Sequence, residues 1–209
     1  MKLGVFRGVL VGDRSSIQNM KLTPEVLEAC YRAGAFPMDD GYGRIGFYRA
    51  DPRSILELDS LHVSKSLARV LRKATYEVRV NQNFEAVIRA CADRTDTWIG
   101  AEIIRAFVRF YEVGRAHSVE AYRDGELAGG LYGVALGGAF MGESMFSRMR
   151  DASKVCLVHL VERLKSRGYV LLDCQIHNDH LARLGAIEIP ERAYLKRLEH
   201  ALSLDRTFV

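Results

Sequence analysis

The dipeptide Asp124-Gly125 constrains the fold of this chain more than any other feature of its sequence. It lies between two segments with strand-like patterning, residues 117–123 and 126–136, and such a turn between such segments is the strongest short-range signal of a β-hairpin. Gly137-Gly138 provides a second turn before a third short strand at residues 139–142. The sequence therefore predicts an antiparallel meander at the centre of the molecule.

Helical patterns flank the predicted meander. Residues 102–113 and 152–166 carry apolar side chains at helical spacing, and residues 190–202 form a last helix. Residues 169–174 form a continuous apolar run, which is typical of a strand buried on both faces. This order predicts an α+β fold with a mixed, mainly antiparallel sheet flanked by helices, as in N-acyltransferases of the acetyltransferase (GNAT) type.

The first part of the chain has a different character. Thr23-Pro24-Glu25 predicts the start of a helix, because threonine caps it, proline suits its first turn and an acid favours its positive end. Turn-rich segments follow, among them Asp51-Pro52-Arg53. We predict a small N-terminal lobe over residues 1–62, with a flexible arm before Thr23, and an acetyltransferase-like catalytic domain over residues 63–209.

Composition limits the compartment and the partners. The formal charge of +4 and the pI of about 8.9 permit a phosphate-bearing partner without requiring one. The four cysteines form no C-x-x-C pair, which indicates buried thiols in a reducing cytosol. No apolar run reaches the length of about 18 residues that suggests a membrane span, and the N-terminus does not resemble a signal peptide. We therefore expect a cytoplasmic protein with no membrane partner.

Two familiar kinds of site are not predicted. His177 and His180 lie three residues apart, but no third ligand follows at a useful spacing, so a polar network at a helix start is favoured over a metal. Ser144 and Ser147 belong to no G-x-S-x-G elbow, which argues against a serine hydrolase.

Residues 140–149 form an apolar run that an acid, two hydroxyls and an arginine interrupt. The acid, Glu143, falls where the predicted strand gives way to a helix, and exposed backbone N–H groups at a helix start bind anions or carbonyl oxygens. Glu143 is therefore a candidate for orienting an amine. The alternative is that Glu143 caps the helix or forms an ion pair, with Met145 and Phe146 in the core.

Asp173 and Gln175 form a second candidate group at the end of the predicted buried strand. Because they are two residues apart, their side chains are expected on the same face. The aspartate would fix the glutamine amide, and the amide oxygen would accept a hydrogen bond from an amine. The alternative is that both residues cap the following helix.

A basic helical face and a set of apolar residues complete the candidates. The basic face consists of Lys65, Arg69, Arg72 and Lys73, which would bind a nucleic-acid backbone or would simply be solvated. The residues expected to bind substrate are Phe47, Trp98, Phe107, Leu131, Phe140, Ser144, Met145, Leu160 and Leu164. The larger apolar members of this set are equally compatible with an ordinary core.

Several blocks between Leu22 and Leu202 together resemble the bacterial leucyl/phenylalanyl-tRNA–protein transferases. The blocks are Thr97-Trp98-Ile99, His117-Ser118-Val119-Glu120, the Gly129-Gly130 segment, Gly142-Glu143-Ser144-Met145, Asp151-Ala152-Ser153-Lys154, Asp173-Cys174-Gln175 and Asn178-Asp179-His180. The resemblance implies transfer of leucine or phenylalanine, with methionine as a further donor, from aminoacyl-tRNA to proteins that begin with lysine or arginine. It also implies that these proteins are marked for degradation, and that no metal or coenzyme is used.

The resemblance also implies roles for individual residues. Asp173 and Gln175 match the family's proposed proton relay, and Glu143 matches an acid near the reacting groups. The basic helix matches a surface for the tRNA acceptor stem. The positions that match a recess for a side chain unbranched at Cβ are Trp98, Leu131, Phe140, Leu160 and Leu164. Whether a protein side chain or the terminal hydroxyl of the tRNA does most of the proton transfer stays open.

The chain departs from the family pattern in the small lobe. Phe36-Pro37-Met38 and Phe47-Tyr48-Arg49 stand where family members commonly carry tryptophans, which leaves the preference between leucine and phenylalanine open. Two other functions remain as alternatives, an acyl-CoA-dependent N-acyltransferase of the same fold and a tRNA-binding module without catalytic activity. The sequence leaves open the oligomeric state and the natural protein substrates.

Overall fold

Nine strands and seven helices form the described part of the chain, residues 21–209 of a computed structural model. The strands are β1 (Phe36–Asp39), β2 (Ile45–Tyr48), β3 (Arg53–Leu56), β4 (Glu77–Val80), β5 (Ala116–Arg123), β6 (Glu126–Leu136), β7 (Ala139–Ser147), β8 (Leu171–Gln175) and β9 (Ile187–Ile189). The helices are α1 (Pro24–Arg32), α2 (Lys65–Arg72), α3 (Phe84–Ala92), α4 (Ala101–Glu112), α5 (Ala152–Ser166), α6 (Asp179–Ala182) and α7 (Glu191–Leu202).

The predicted meander is confirmed as the strands β5, β6 and β7. Asp124 and Gly125 have φ angles of 53° and 82°, and two positive φ angles are what a type I′ hairpin turn requires. The antiparallel pairing of β5 with β6 runs from Ala116 opposite Val134 to Arg123 opposite Glu126. The chain is thus a mixed α+β protein whose sheet is mainly antiparallel, as predicted.

The meander is part of a seven-stranded sheet with the strand order β4-β5-β6-β7-β8-β3-β9. Each neighbouring pair is antiparallel except β7 and β8, which are parallel. The parallel pairing ends at Met141 opposite Asp173, although β7 continues to Ser147. Beyond this point no strand-to-strand pairing joins β7 to β8, which gives side chains from both strands room to meet at one site.

Two apolar clusters cover the two faces of the sheet. Helices α1, α3, α4 and α7 contribute to one cluster, and α2 and α5 contribute to the other. The side chains of β6 alternate between them, since Tyr132, Val134 and Leu136 belong to the first cluster whereas Leu131 and Ala135 belong to the second. This alternation is the period of two that a strand buried on both faces requires.

The segment predicted as a small N-terminal lobe contributes to two sheets. Strands β1 and β2 form a two-stranded sheet of their own, whereas β3 lies between β8 and β9 in the main sheet. Ile55 of β3 is opposite Asp173 on one side and Ile187 on the other. The predicted flexible arm lies outside the described residues except for its last positions, and the domain boundary at residue 62 stays a prediction.

The structure corrects the predicted position of Glu143 at a junction between strand and helix. Strand β7 extends to Ser147, and Glu143 lies in its middle. The extension follows from the length of β6, which pairs with the whole of β7, from Leu136 opposite Ala139 to Gly129 opposite Ser147. The helix α5 begins only at Ala152.

Candidate active site

Glu143 and Gln175 meet where β7 and β8 cease to pair. Gln175 Nε2 donates a hydrogen bond of 2.5 Å to Glu143 Oε1, across 32 residues of sequence. Strand β7 carries Glu143 past its last residue paired with β8, and Gln175 is the final residue of β8. Both residues line the same recess. The tertiary structure therefore brings together two of the three residues predicted to act in catalysis.

The carboxyl group of Glu143 is in an unusual electrostatic environment. Burial raises its pKa from the ordinary value of 4.5 to about 8, and Asp173 adds to this effect, although the nearby Tyr31 hydroxyl, the hydrogen bond from Gln175 and the charge of Arg53 oppose it. Its Oε2 atom is buried and has no hydrogen-bond partner in the described part of the chain. At neutral pH, the carboxyl group is mostly protonated.

Asp173, the third predicted catalytic residue, lies behind the recess wall and is fully buried. Its two oxygens accept hydrogen bonds from Arg53 Nε (2.9 Å) and Arg53 Nη2 (2.6 Å). The Tyr194 hydroxyl donates a third hydrogen bond to Oδ2 at 2.8 Å. A buried carboxylate is stable only with such partners, so Arg53 and Tyr194 are what allow Asp173 to be charged at this position.

Arg53 is the residue that sequence analysis missed at this site. Its side chain is 1% exposed, its guanidinium donates to the Gly34 carbonyl oxygen as well as to Asp173, and it lies 4.4 Å from the centre of the Tyr194 ring. Burial works against its charge, but Asp173, Tyr194 and Glu143 together outweigh burial and raise the pKa of Arg53 above its usual range. The only sequence signal at this position was a turn at Asp51-Pro52-Arg53.

Asp173 contacts Gln175 through the backbone and not through the side-chain amide. The backbone N–H of Gln175 donates to Asp173 Oδ1 at 2.8 Å, and Gln175 has a φ of 60°, in the left-handed region that non-glycine residues seldom occupy. This geometry replaces the predicted one, in which the aspartate holds the amide of Gln175. Asp173 fixes the backbone turn, and Glu143 fixes the amide.

The recess next to this pair has a volume of about 990 Å³. Its lining has an apolar part, which we call the inner wall, and a part that is polar and aromatic. The inner wall includes Leu131, Met145, Leu157, Leu160, Leu172 and Leu181. The polar and aromatic part includes Tyr48, Trp98, Arg94, Asp96 and Ser144. Apolar walls with a few polar groups are the usual form of a site that binds a small apolar group.

Five of the nine residues predicted to bind substrate line the recess, namely Trp98, Leu131, Ser144, Met145 and Leu160. The Ser144 hydroxyl is held by Arg94, whose Nη2 donates to it at 2.9 Å. Arg94 was not among the predicted residues.

The other four predicted residues lie in the core. Phe107, Phe140 and Leu164 are fully buried, and the ring of Phe140 packs against that of Phe208 at 5.2 Å. Phe47 is also a core residue, whereas its neighbour Tyr48 lines the recess. Because successive residues of a strand face opposite sides, Phe47 points into the core and Tyr48 points into the recess.

The basic face predicted on the second helix is present on α2. Lys65, Arg69, Arg72 and Lys73 are all exposed, and none of them is within ion-pair distance of an acid in residues 21–209. Ser64 caps the helix by accepting a hydrogen bond from the Leu67 N–H at 3.2 Å. The face therefore presents four positive charges that acids of the described chain do not neutralise.

Residues 21–209 contain neither a metal-binding cluster nor a membrane-spanning helix. No group of three or more His, Cys, Asp or Glu side chains in residues 21–209 is placed to hold a metal ion. Over the same range, no helix is long and apolar enough to cross a membrane.

An amide and a protonated carboxyl beside an apolar recess are able to place an amine against a bound acyl group. Such an arrangement suits a group-transfer enzyme. The family model described as leucyl/phenylalanyl-tRNA protein transferase matches residues 55–199, and the model of that protein's N-terminal domain matches residues 20–51.

Curated relatives agree with the family models. The leucyl/phenylalanyl-tRNA–protein transferase of Rubrobacter xylanophilus is 70% identical over 190 residues, which cover 90% of this chain and all of the relative. The protein of the same name from Gloeobacter violaceus is 56% identical over 188 residues, covering 90% of this chain and 97% of the relative. The chain belongs to the leucyl/phenylalanyl-tRNA–protein transferase family, whose members are transferase enzymes, and the resemblance found in the sequence is confirmed.

Similarity to solved structures is distant. A functionally unknown conserved protein from Staphylococcus epidermidis matches with a TM-score of 0.46 and 11% sequence identity, covering 82% of this chain and 66% of that protein. At this distance the match carries no argument about the fold family or the function.

Proposed function

We propose that this protein transfers leucine or phenylalanine from aminoacyl-tRNA to the α-amine of proteins that begin with lysine or arginine. The product would carry a destabilising N-terminal residue and be directed to proteolysis. Membership of the family supports the reaction. The observation that carries the proposal is the hydrogen-bonded pair of Glu143 and Gln175 at the wall of a largely apolar recess.

The chemistry needs positioning more than it needs a nucleophile. An aminoacyl ester is already activated, so the enzyme has mainly to place a neutral amine against the carbonyl carbon and stabilise the oxyanion that forms. Because Gln175 Nε2 donates to Glu143, the amide oxygen of Gln175 is left as the acceptor for the amine. We assign this acceptor role to Gln175 and the orienting role to Glu143.

Asp173 supports the site without touching the substrate. It does not line the recess, and it holds the backbone of Gln175 in the left-handed conformation that directs the side chain. Arg53 in turn neutralises Asp173. We therefore treat Asp173 and Arg53 as positioning residues.

The apolar inner wall would hold the side chain of the transferred amino acid. Leucines dominate this wall, and Met145 adds a flexible side chain that adapts to different shapes. Leucine and phenylalanine are both unbranched at Cβ, so either would extend from the ester into the recess. Valine and isoleucine carry a branch at Cβ, close to the ester, and we expect that branch to be rejected beside the Glu143–Gln175 pair.

We infer that the acceptor stem of the tRNA binds to the basic face of α2. Four exposed charges without acidic partners in residues 21–209 favour a polyanion over solvent alone. We also assign the sheet to the acetyltransferase type, because its parallel pair β7–β8 separates at the site. Residues 63–209 would be the catalytic domain of a cytoplasmic enzyme.

The test is a transfer assay with purified protein. Labelled leucyl-tRNA or phenylalanyl-tRNA is mixed with a peptide that begins with arginine, and peptide-bound label is measured with and without acyl-CoA. We expect transfer from either aminoacyl-tRNA without acyl-CoA. Gln175→Ala should lower kcat with folding retained, whereas Gln82→Ala, at an exposed glutamine, should not.

The alternatives give different results in the same assay. Transfer only from acyl-CoA would identify an acyl-CoA-dependent N-acyltransferase. Binding of tRNA without transfer from any donor would identify a tRNA-binding module. Either result would overturn the proposed reaction.

A further inference from the structure

A second recess lies next to the first, at the start of α5. Its volume is about 450 Å³, and its walls include Ser147, Arg148 and Ser153. His180 lines both recesses, so the second recess adjoins the proposed active site. Neither the predicted substrate-binding residues nor the predicted basic face accounts for it.

Ser153 offers an unused hydrogen-bonding group in this recess. The residue is 6% exposed, and its backbone N–H donates to Ser147 Oγ at 3.2 Å, while its own hydroxyl has no partner among residues 21–209. Ser153 is the second residue of α5, where the helix dipole is positive. The Ser153 hydroxyl is not one of the sealed, unpartnered polar atoms of residues 21–209, so it is open to the recess that Ser153 lines and is free to donate a hydrogen bond to a ligand there.

The charge around the recess favours an anion. Arg150 and Lys154 both lie near Asp151, at 3.5 Å and 2.8 Å respectively. Arg148 is exposed and lies over the ring of Phe146, and no acid within the described range is close enough to pair with it. The recess therefore has one carboxylate against three cations, and Arg148 is the cation left without a partner.

Close packing fixes Ser153 in place. Gly129 of β6 lies directly under the first turn of α5, and a Cβ atom there would be 2.7 Å from Ala152 Cβ and 3.1 Å from Ser153 N. Because Gly129 has no side chain, the helix start rests on the sheet. Ser153 is thus held in position before a ligand arrives, which lowers the cost of binding.

The position of the recess identifies the anion that would occupy it. On one side, His180 leads to the recess proposed to hold the aminoacyl ester, and on the other, Ser66 belongs to the basic helix α2. An RNA strand that ends in the first recess and continues towards α2 would pass through the second. Its backbone would present a phosphate there.

We propose that the second recess binds the phosphodiester that joins the terminal adenosine of the aminoacyl-tRNA to the preceding nucleotide. Arg148 and the Ser153 hydroxyl are its ligands, next to the positive end of the α5 dipole. The inference rests on the proposed function for the identity of the RNA. This phosphate subsite would let the protein bind an oligonucleotide more tightly than a free nucleoside.

The test compares ligands that differ by this one phosphodiester. Dissociation constants for adenosine and for the dinucleotide cytidylyl-adenosine are measured by calorimetry in the full chain. We expect the dinucleotide to bind more tightly by about tenfold, as one hydrogen-bonded charge pair would give. Arg148→Gln and Ser153→Ala should each bring the ratio of the two constants towards one, whereas Arg123→Gln, at an exposed cation in the hairpin, should not.

The other outcomes overturn the proposal. An unchanged ratio in both variants, or an equal loss for adenosine and the dinucleotide, would show that the recess holds no phosphodiester. Tighter binding of coenzyme A than of the dinucleotide, lost in Arg148→Gln, would assign the recess to a pyrophosphate instead. The measurement needs no turnover, so a failed transfer assay would count against the proposed reaction alone.

Discussion

Replacing Glu143 with glutamine should change the way stability depends on pH. Glutamine has nearly the same shape, and its side-chain oxygen still accepts a hydrogen bond from the Gln175 amide. It removes only the ionisable group, whose pKa is raised by burial from 4.5 to about 8. The perturbation therefore isolates the free energy of keeping a proton on Glu143 in the folded chain.

The sign of the effect follows from proton binding. Between its unfolded and folded pKa values, Glu143 is protonated in the folded chain and ionised in the unfolded chain, so it lowers stability as the pH rises. Each unit of pKa difference is worth about 1.4 kcal/mol. The cost of retaining Glu143 is therefore about 3 kcal/mol at pH 7 and about 1 kcal/mol at pH 5, and it vanishes below the unfolded pKa.

Urea unfolding of both proteins at a series of pH values measures this difference. We expect Glu143→Gln to exceed the parent in free energy of unfolding by an amount that grows by about 2 kcal/mol from pH 5 to pH 7. Glu126→Gln, at an exposed acid on β6, is the matched control and should give a flat difference. A flat difference for Glu143→Gln as well would refute the claim that its carboxyl is protonated in the folded protein.

Three further predictions concern the packing and the basic face. Arg53→Met should lower the free energy of unfolding by about 3–5 kcal/mol, because it leaves a buried carboxylate unpaired; a loss under about 1 kcal/mol in urea would contradict this. Gly133→Ala should destabilise by about 1–3 kcal/mol, since its Cβ would lie 2.3 Å from a backbone oxygen. Gly142→Ala, whose nearest neighbour would be 3.4 Å away, is the control, and equal melting temperatures would disprove the clash. Neutralising either Arg69 or Arg72 should reduce by about 1 the slope of the logarithm of the tRNA association constant against the logarithm of the salt concentration. Filter binding measures this slope, and an unchanged slope would show that the basic face is solvated and does not bind tRNA.

Local patterns were enough to predict most of the helices and strands. The turn at Asp124-Gly125 and the apolar spacing of α4 and α5 are signals carried by neighbouring residues, and the structure confirms all three. Strands β1, β2 and β9 were not predicted. Residues 36–39 lie in a segment that was interpreted as a turn-rich loop, whereas they pair with β2. Strand β9 spans only Ile187–Ile189 and depends on the adjacent edge of β3 for its hydrogen bonds, so its own sequence carries no clear strand pattern.

The composition of the candidate site was only partly predictable. Glu143 and Gln175 stood out because polar residues interrupt apolar runs, and the structure brings them together. Phe107 and Phe140 were proposed as apolar lining of a pocket, with an ordinary core as the alternative, and both are core residues. An apolar side chain has the same sequence signal in either place, and only the phase of its helix or strand distinguishes the two.

The sequence by itself determined the meander, the order of the elements and the family to which the chain belongs, because these depend on short-range patterns and on residue identities. The tertiary structure alone decided how far β7 extends, where β7 and β8 cease to pair, and which residue balances Asp173. That residue, Arg53, is 120 positions away in the chain. A buried ion pair forms only when two distant strands become neighbours, and strand neighbours are set by the packing of the whole sheet.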